Sequence, residues 1–172
     1  MNIATDRFGL TAPQPAPAWV VSEWLNTTPA LPAPTLEQLR GRVVVMEAFQ
    51  MLCPGCVLHG LPQAKRVHAA FDPADVAVIG LHSVFEHHEA MTRTSLEAFL
   101  YEFRIGFPVA IDAPGTDGPI PQTMSAYGLQ GTPSLLLFDR RGRLRRHGFG
   151  AEDEMMLGAA IAALMAETAE PR

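Results

Sequence analysis

Two cysteines, Cys53 and Cys56, carry the most reactive chemistry in this sequence of 172 residues, and the sequence has no others. Because only Pro54 and Gly55 separate them, their sulfurs can form and release a disulfide with little movement of the backbone. Such a bond closes so small a loop that it removes very little entropy from the unfolded chain. The spacing therefore indicates a centre for thiol–disulfide exchange rather than a structural cross-link.

The residues around the pair predict the elements that position it. An apolar stretch at 43–49, with three consecutive valines, is typical of a strand buried on both faces. Pro54 suits the first position of a helix, and apolar residues at helical spacing follow it. The free N–H groups and the dipole at a helix N-terminus favour an anion, so Cys53 is predicted to react as a thiolate. Cys56 is predicted to be more buried and to resolve the mixed disulfide by attacking Cys53.

A zinc site is another interpretation of a Cys-x-x-Cys pair, but it needs two further ligands. The sequence has no second Cys-x-x-Cys, although its histidines could supply ligands. His82, His87 and His88, together with Glu86 and Glu89, follow a predicted strand and resemble a metal-binding cluster. A polar loop explains these residues more simply, so we predict no metal site.

Gly131-Thr132-Pro133 is the second informative motif, because it stands at the start of another apolar strand. Within a sheet, proline is tolerated at the first residue of a strand. A bond before proline is also the common source of cis peptides, although most such bonds are trans. The residues by themselves therefore mark an unusual strand start and leave its geometry open.

The other elements are predicted from apolar periodicity and from glycine and proline breakers. Residues 1–17 predict an extended N-terminal arm, and residues 18–172 predict one domain. Residues 19–25 fit either a short strand or a helical turn. We predict further strands at 75–82, 107–111, 133–139 and 143–149, and further helices at 35–39, 94–103, 121–127 and 152–167. This order describes an α/β domain with a mixed central sheet and helices on both faces.

Charge and hydropathy argue against several classes of partner. The net charge of −5 gives no reason to expect nucleic acid or an anionic membrane. The arginines of segment 140–146 are assigned to a solvated hairpin, with Arg143 and Arg145 on its solvent face. No apolar stretch approaches the roughly 20 residues that cross a bilayer. The first residues show no signal peptide, and the shortage of cysteines fits a reducing compartment, so we predict a cytoplasmic protein.

The stretch at 43–49, Cys53-Pro54-Gly55-Cys56, Gly131-Thr132-Pro133 and the turn after the following strand resemble the thioredoxin superfamily. The closer resemblance is to its TlpA-like, redoxin-type branch. The insert that carries residues 80–86, between the second predicted strand and the next helix, is similar to that branch and to the thioredoxin-like domain of NHL-repeat proteins. The likeness covers about residues 18–168 and implies a thioredoxin-like fold.

The same resemblance implies roles for the residues of the two motifs. Cys53 is implied to be the nucleophile and Cys56 the resolving cysteine. Pro133 is implied to be cis and to face the disulfide, and the backbone of Thr132 to pair with an extended substrate chain beside Cys53.

Three features depart from the usual pattern of the family, and the first two lie on either side of the cysteine pair. Leu52 stands where a tryptophan often precedes the first cysteine, so the substrate-binding rim of the site is reshaped. Pro62 falls six residues after Cys56 instead of five, which predicts a one-residue bulge in the helix near His59 and Gly60.

Glu47, six residues before Cys53, is a third departure, because thioredoxins carry a buried aspartate there that relays a proton to and from the resolving cysteine. A longer carboxylate could do the same with its pKa raised by burial. The alternative is that Glu47 only pairs with a nearby base such as Arg42 or His59.

Together these observations predict an enzyme that reduces disulfides in proteins or small molecules, with regeneration by an external electron donor. Its redox group would be the Cys53–Cys56 disulfide, with no other cofactor, since no Gly-x-Gly-x-x-Gly follows a strand. A peroxiredoxin-like thiol peroxidase is an alternative, but Met46 and Gln50 occupy the positions of its proline and threonine. A metal-binding thioredoxin-like module is the other alternative.

Overall fold

The computed structural model describes residues 4–29 and 33–167. The first three residues of the predicted arm and the last five of the predicted domain lie outside the described residues. Six strands form one sheet: β1 (Val21–Leu25), β2 (Val43–Phe49), β3 (Val76–His82), β4 (Val109–Asp112), β5 (Ser134–Phe138) and β6 (Leu144–Phe149). Four α-helices accompany them: α1 (Leu61–Ala70), α2 (Arg93–Glu102), α3 (Gln122–Ala126) and α4 (Glu154–Ala166).

The sheet is mixed, as predicted, with the strand order β1-β4-β3-β2-β5-β6. β2, β3 and β4 run parallel to one another, whereas β1, β5 and β6 join by antiparallel pairing. Every residue of β2, β3 and β5 is buried, because helices and loops cover both faces of these central strands. The carboxyl end of β2 therefore leads from the fully buried centre of the sheet, through the turn at residues 50–52, to Cys53.

Two hydrophobic clusters hold the layers together. Apolar residues of α1, α2 and α4 pack on one sheet face, against a set that includes Val43, Val45 and Phe49. Met124 of α3 and Leu39 pack on the other face, against a set that includes Val44 and Met46. The alternation along β2 explains this division, since successive side chains of a strand point to opposite faces.

The helix after Cys53 contains the predicted bulge. Residues 54–70 are continuously helical, but Cys56–Gly60 form a π-helical turn in which the N–H of Leu61 donates to the carbonyl of Cys56. Pro62, at the start of α1, has no N–H to donate, and the π turn stands directly before α1 as a single-turn bulge inside the continuous helix. The bulge near His59 and Gly60 is thus confirmed.

Two helix predictions differ most from the structure. Residues 35–39 form turns rather than a helix, although Thr35 accepts a hydrogen bond from the N–H of Gln38 as a helix cap would. So short a segment gains too few hydrogen bonds to offset the loss of chain entropy. α4 begins at Glu154, not at residue 152, because the side chain of Asp153 caps it by accepting from the N–H of Met156.

The N-terminal arm lies along β6, and this overturns one prediction. The N–H of Thr11 donates to the carbonyl of Arg145 at 2.7 Å, and Gln14 bridges to Leu144. Arg145 is therefore buried and not on the solvent face, because its guanidinium donates to the carbonyl of Thr11 and to the carboxylate of Glu167. The prediction from strand alternation took the hairpin as uncovered, whereas the N-terminal arm covers Arg145.

Candidate functional site

The structure joins Cys53 and Cys56 in a disulfide at the N-terminus of the long helix. Cys53 follows a turn after β2 and is partly exposed, whereas Cys56 is 0% exposed. The backbone N–H of Cys56 donates to the sulfur of Cys53 at 3.2 Å. That N–H, with the helix dipole, would also stabilise a Cys53 thiolate after reduction. The accessible sulfur is thus the one with the electrostatic environment of a nucleophile.

Pro133 faces this disulfide from the other side of the site. The Thr132–Pro133 peptide bond is cis, which confirms what the resemblance implied. The carbonyl oxygen of Thr132 lies 3.3 Å from the sulfur of Cys53. A Cβ on Gly55 would lie 3.1 Å from Cδ of Pro133, so the ring sits directly against the Cys53–Cys56 turn.

Glu47 lies beneath the helix on the same side of the sheet. Cys56 and Gly60 are the two buried residues of the π-helical turn and so face the sheet together. A Cβ on Gly60 would overlap Oε1 of Glu47 and lie 2.9 Å from Cβ of Pro133. The glycine therefore lets the Glu47 carboxyl approach the helix backbone at residue 60, one turn beyond Cys56 and close to Pro133.

The Glu47 carboxyl is 1% exposed, and its Oε1 has no hydrogen-bond partner among the described residues. Arg42, one of the bases considered as its partner, instead donates to the carbonyl of Pro73. Burial, and after it the negative charge of Glu152, raise the pKa of Glu47 well above the usual glutamate range. A carboxyl group with a raised pKa can exchange protons with a thiol, whose pKa is ordinarily near 8.5.

Exposed apolar side chains lie around the disulfide. Leu52 is 57% exposed immediately before Cys53, and Leu58 is exposed on the helix that follows. Phe149, at the end of β6, is also 57% exposed and lies over Gly131, whose Cβ would be 3.1 Å from its ring. Leu52 and Leu58 thus expose apolar surface next to the cysteine pair, and Phe149 does so beside the Gly131-Thr132-Pro133 motif.

The histidines that resembled a metal cluster differ in their surroundings. His82 is buried at the end of β3, with its ring centroid 5.2 Å from that of Phe49, while His87 and His88 are exposed. Burial lowers the pKa of His82 to about 4, so its imidazole is neutral at physiological pH. Within residues 4–29 and 33–167, no three His, Cys, Asp or Glu side chains come together as metal ligands.

We next compared the chain with proteins of known sequence and structure. No protein-family profile matches the chain. NHL repeat-containing protein 2 from Homo sapiens is 27% identical over 143 residues, and the Bos taurus protein of the same name is 28% identical over 143 residues. Each match covers 81% of this chain, which spans only 18% of the length of those relatives. The similarity to NHL-repeat proteins is thus confirmed.

Two solved structures are much more similar. A thioredoxin-like superfamily protein is 57% identical with a TM-score of 0.87, and the match covers 92% of this chain and 100% of that chain. The chain belongs to the thioredoxin-like superfamily. A thiol-disulfide isomerase from Corynebacterium glutamicum is 51% identical with a TM-score of 0.84, over 90% of this chain and 97% of that one. The fold and the cysteine pair are those of a thiol–disulfide oxidoreductase.

The structure gathers most of the residues that the sequence singled out. Cys53, Cys56, Thr132 and Pro133 meet at one end of the sheet, with Glu47 buried beneath them. Leu52 stands at the exposed rim. No described helix is long and apolar enough to span a bilayer.

Sequence reasoning missed two residues of this thioredoxin-like site. Phe149 could have been noticed as an aromatic residue at an outward position of a hairpin strand. Glu152 carried no signal, because it precedes α4 in an irregular segment and reaches the site only through the fold.

Proposed function

We propose that this protein reduces disulfides in proteins or small molecules by a two-cysteine cycle. The observation that carries the proposal is the disulfide itself, which joins an accessible cysteine at a helix N-terminus to a fully buried one beside Pro133. This arrangement gives the two sulfurs different tasks, since only the sulfur of Cys53 can meet a large substrate.

In the first step, the Cys53 thiolate attacks a substrate disulfide. A mixed disulfide forms between Cys53 and one substrate sulfur, and the other substrate sulfur leaves as a thiolate that takes up a proton. Cys56 then loses its proton to Glu47 and attacks the sulfur of Cys53. The second substrate sulfur leaves and is protonated, so the substrate gains two electrons and the enzyme keeps a disulfide.

The backbone of Thr132 and the apolar rim supply the substrate contacts in this proposal. An extended chain that crosses Cys53 would run beside Thr132 and contact Leu52 on one side and Phe149 on the other. Recognition through backbone and apolar surface tolerates many sequences, which suits a reductase of diverse disulfides.

The direction of the cycle depends on the compartment. We place the protein in the cytoplasm, where glutathione and thioredoxin systems keep thiols reduced. There an external dithiol donor would return two electrons to the Cys53–Cys56 disulfide after each turnover. The insert between β3 and α2 supports assignment to the TlpA-like branch of the superfamily.

The test is insulin reduction with dithiothreitol as donor, followed by trapping. Wild-type protein should accelerate reduction, and Cys53→Ser should abolish the acceleration. Cys56→Ser should instead accumulate mixed disulfides between Cys53 and its substrates. A thiol should release the trapped substrates, and identifying them would name the pathway. Loss of the insulin activity together with rapid consumption of hydrogen peroxide would replace the proposal with a peroxidase.

A further inference from the structure

Glu152 occupies an unusual place for a charged residue. Its side chain is only 11% exposed and forms an ion pair with Arg146, whose side chain is 15% exposed. A Cβ on Gly148 would overlap the carboxylate of Glu152, so that glycine makes the room that the carboxylate fills. The side chain of Gln63, in α1, donates to the Glu152 carbonyl at 3.0 Å and ties the segment to the helix.

The sheet register brings this carboxylate onto the same face as Glu47. Glu47 pairs with Leu135 of β5, and Leu135 pairs with Gly148 of β6. Residues that pair directly across strands point to the same face, so the three positions form one row beneath the helix. Glu152 lies against the Gly148 end of this row, and Glu47 stands at the other end, with Leu135 between them.

The two carboxyl groups have opposite surroundings. Glu152 has a guanidinium partner in Arg146, and its side chain is only partly closed off from solvent. Glu47 is enclosed, and its Oε1 has no partner among the described residues. The negative charge of Glu152 therefore acts on a buried carboxyl whose Oε1 has no hydrogen-bond partner among the described residues.

Other ionisable groups on the surrounding elements are engaged elsewhere, exposed or neutral. On the helix, Lys65 donates to the carbonyl of Phe103, Arg66 pairs with Glu154, and His59 is exposed. β5 contains no titratable residue, and His82 of β3 is neutral at physiological pH because burial lowers its pKa to about 4. Asp153 caps α4. Glu152 is thus the charged side chain whose negative charge raises the pKa of Glu47.

We propose that Glu152, held by Arg146, is a positioning residue of the dithiol site, which sets how strongly Glu47 binds the proton that it exchanges with Cys56. The proposal rests on the cycle proposed above. In that cycle the proton passes from the sulfur of Cys56 to the carboxylate of Glu47 as Cys56 attacks Cys53, and it later leaves to solvent. A base whose proton affinity approaches that of the thiol removes this proton most effectively.

The test compares Glu152→Gln with the matched control Glu154→Gln in the full chain. Glu154 lies two residues away and is an exposed partner of Arg66, so its loss should leave Glu47 unaffected. Carboxyl ¹³C NMR of the oxidised, glutamate-labelled protein, with the Glu47 signal identified by its absence in Glu47→Gln, reports the titration without any turnover. Glu152→Gln should move that titration to lower pH, and Glu154→Gln should leave it in place.

A kinetic measurement completes the test. Single-turnover resolution of a preformed mixed disulfide should show its pH profile moved to lower pH in Glu152→Gln, with the plateau rate reduced about threefold to tenfold, as expected for a weaker base. Glu152→Asp keeps the charge and should restore most of the profile; circular dichroism checks that each variant folds.

The outcomes separate this proposal from the one on which it rests. An unchanged Glu47 titration in folded Glu152→Gln would overturn the role of Glu152, even if the wild-type protein reduces insulin. A wild-type protein without dithiol activity would overturn the proposed function, whatever the Glu47 signal does.

Discussion

Glu47 shows how one buried side chain gives a site its pH dependence. A carboxylate enclosed without a hydrogen-bond partner is far less stable than one in water, so the folded protein favours its protonated form. The raised pKa of Glu47 follows from this burial first and from the charge of Glu152 second. The same property that makes Glu47 a candidate proton acceptor also makes it a source of instability at higher pH.

This dependence should be visible in the stability of the oxidised protein. In the unfolded chain Glu47 titrates near pH 4.3, whereas the folded protein holds that proton to higher pH. The stability contributed by the proton is therefore complete below about pH 4 and is lost as the pH rises through the raised pKa. Urea unfolding across this range should show wild type losing stability relative to Glu47→Gln. Parallel pH dependences for the two proteins would contradict the assignment.

The π-helical turn links the cysteine pair to the carboxyl at the scale of secondary structure. It places Cys56 and Gly60 on the buried side of the helix, and Gly60 leaves the space that the Glu47 carboxyl and the Pro133 ring occupy. A regular helix with a larger residue at this position could not bring the three groups so close.

Replacing that glycine should be costly. Gly60→Ala places a methyl group against Oε1 of Glu47 and against Cβ of Pro133, so we expect a loss of about 1–3 kcal/mol in the free energy of unfolding. The control is Gly158→Ala within α4, where a Cβ meets nothing within 4 Å. There alanine should stabilise the helix by about 0.5–1 kcal/mol. Urea denaturation of both variants measures the two effects, and equal changes would refute the close packing at Gly60.

At the scale of the whole molecule, the N-terminal arm is part of the fold. Leu10 is buried at 3% exposure in the same cluster as β2 and α4, and Thr11 is hydrogen-bonded to β6 through the backbone of Arg145. The arm thereby covers part of an edge strand that would otherwise offer free N–H and carbonyl groups to other chains.

Truncating the buried anchor of the arm should therefore destabilise the domain. Leu10→Ala should lower the free energy of unfolding by about 2–5 kcal/mol, in the range found for buried leucines. Met155→Ala, at a side chain that is 84% exposed, should change it by less than about 0.5 kcal/mol. Thermal and urea unfolding measure both, and a neutral Leu10→Ala would mean that the arm only rests on the surface.

Local sequence determined much of this protein. The buried strand at 43–49 and the helix that begins at Pro54 are consequences of short-range patterns, so each could be predicted from neighbouring residues. The bulge before Pro62 was predicted from the spacing of that proline relative to the family pattern. The identity and different exposure of the two cysteines also follow from their place between that strand and that helix.

Tertiary structure decided what depends on residues far apart in the chain. The meeting of Thr132 with Cys53, the burial of Arg145 under the arm and the approach of Glu152 to the sheet row of Glu47 arise from strand pairing and packing. Local propensity contains no information on such contacts, because each forms only when the rest of the sheet fixes the distance between its partners. The sequence thus located the dithiol and nominated Glu47, while the fold decided that Glu152 approaches Glu47, because that contact depends on the pairing of β2, β5 and β6.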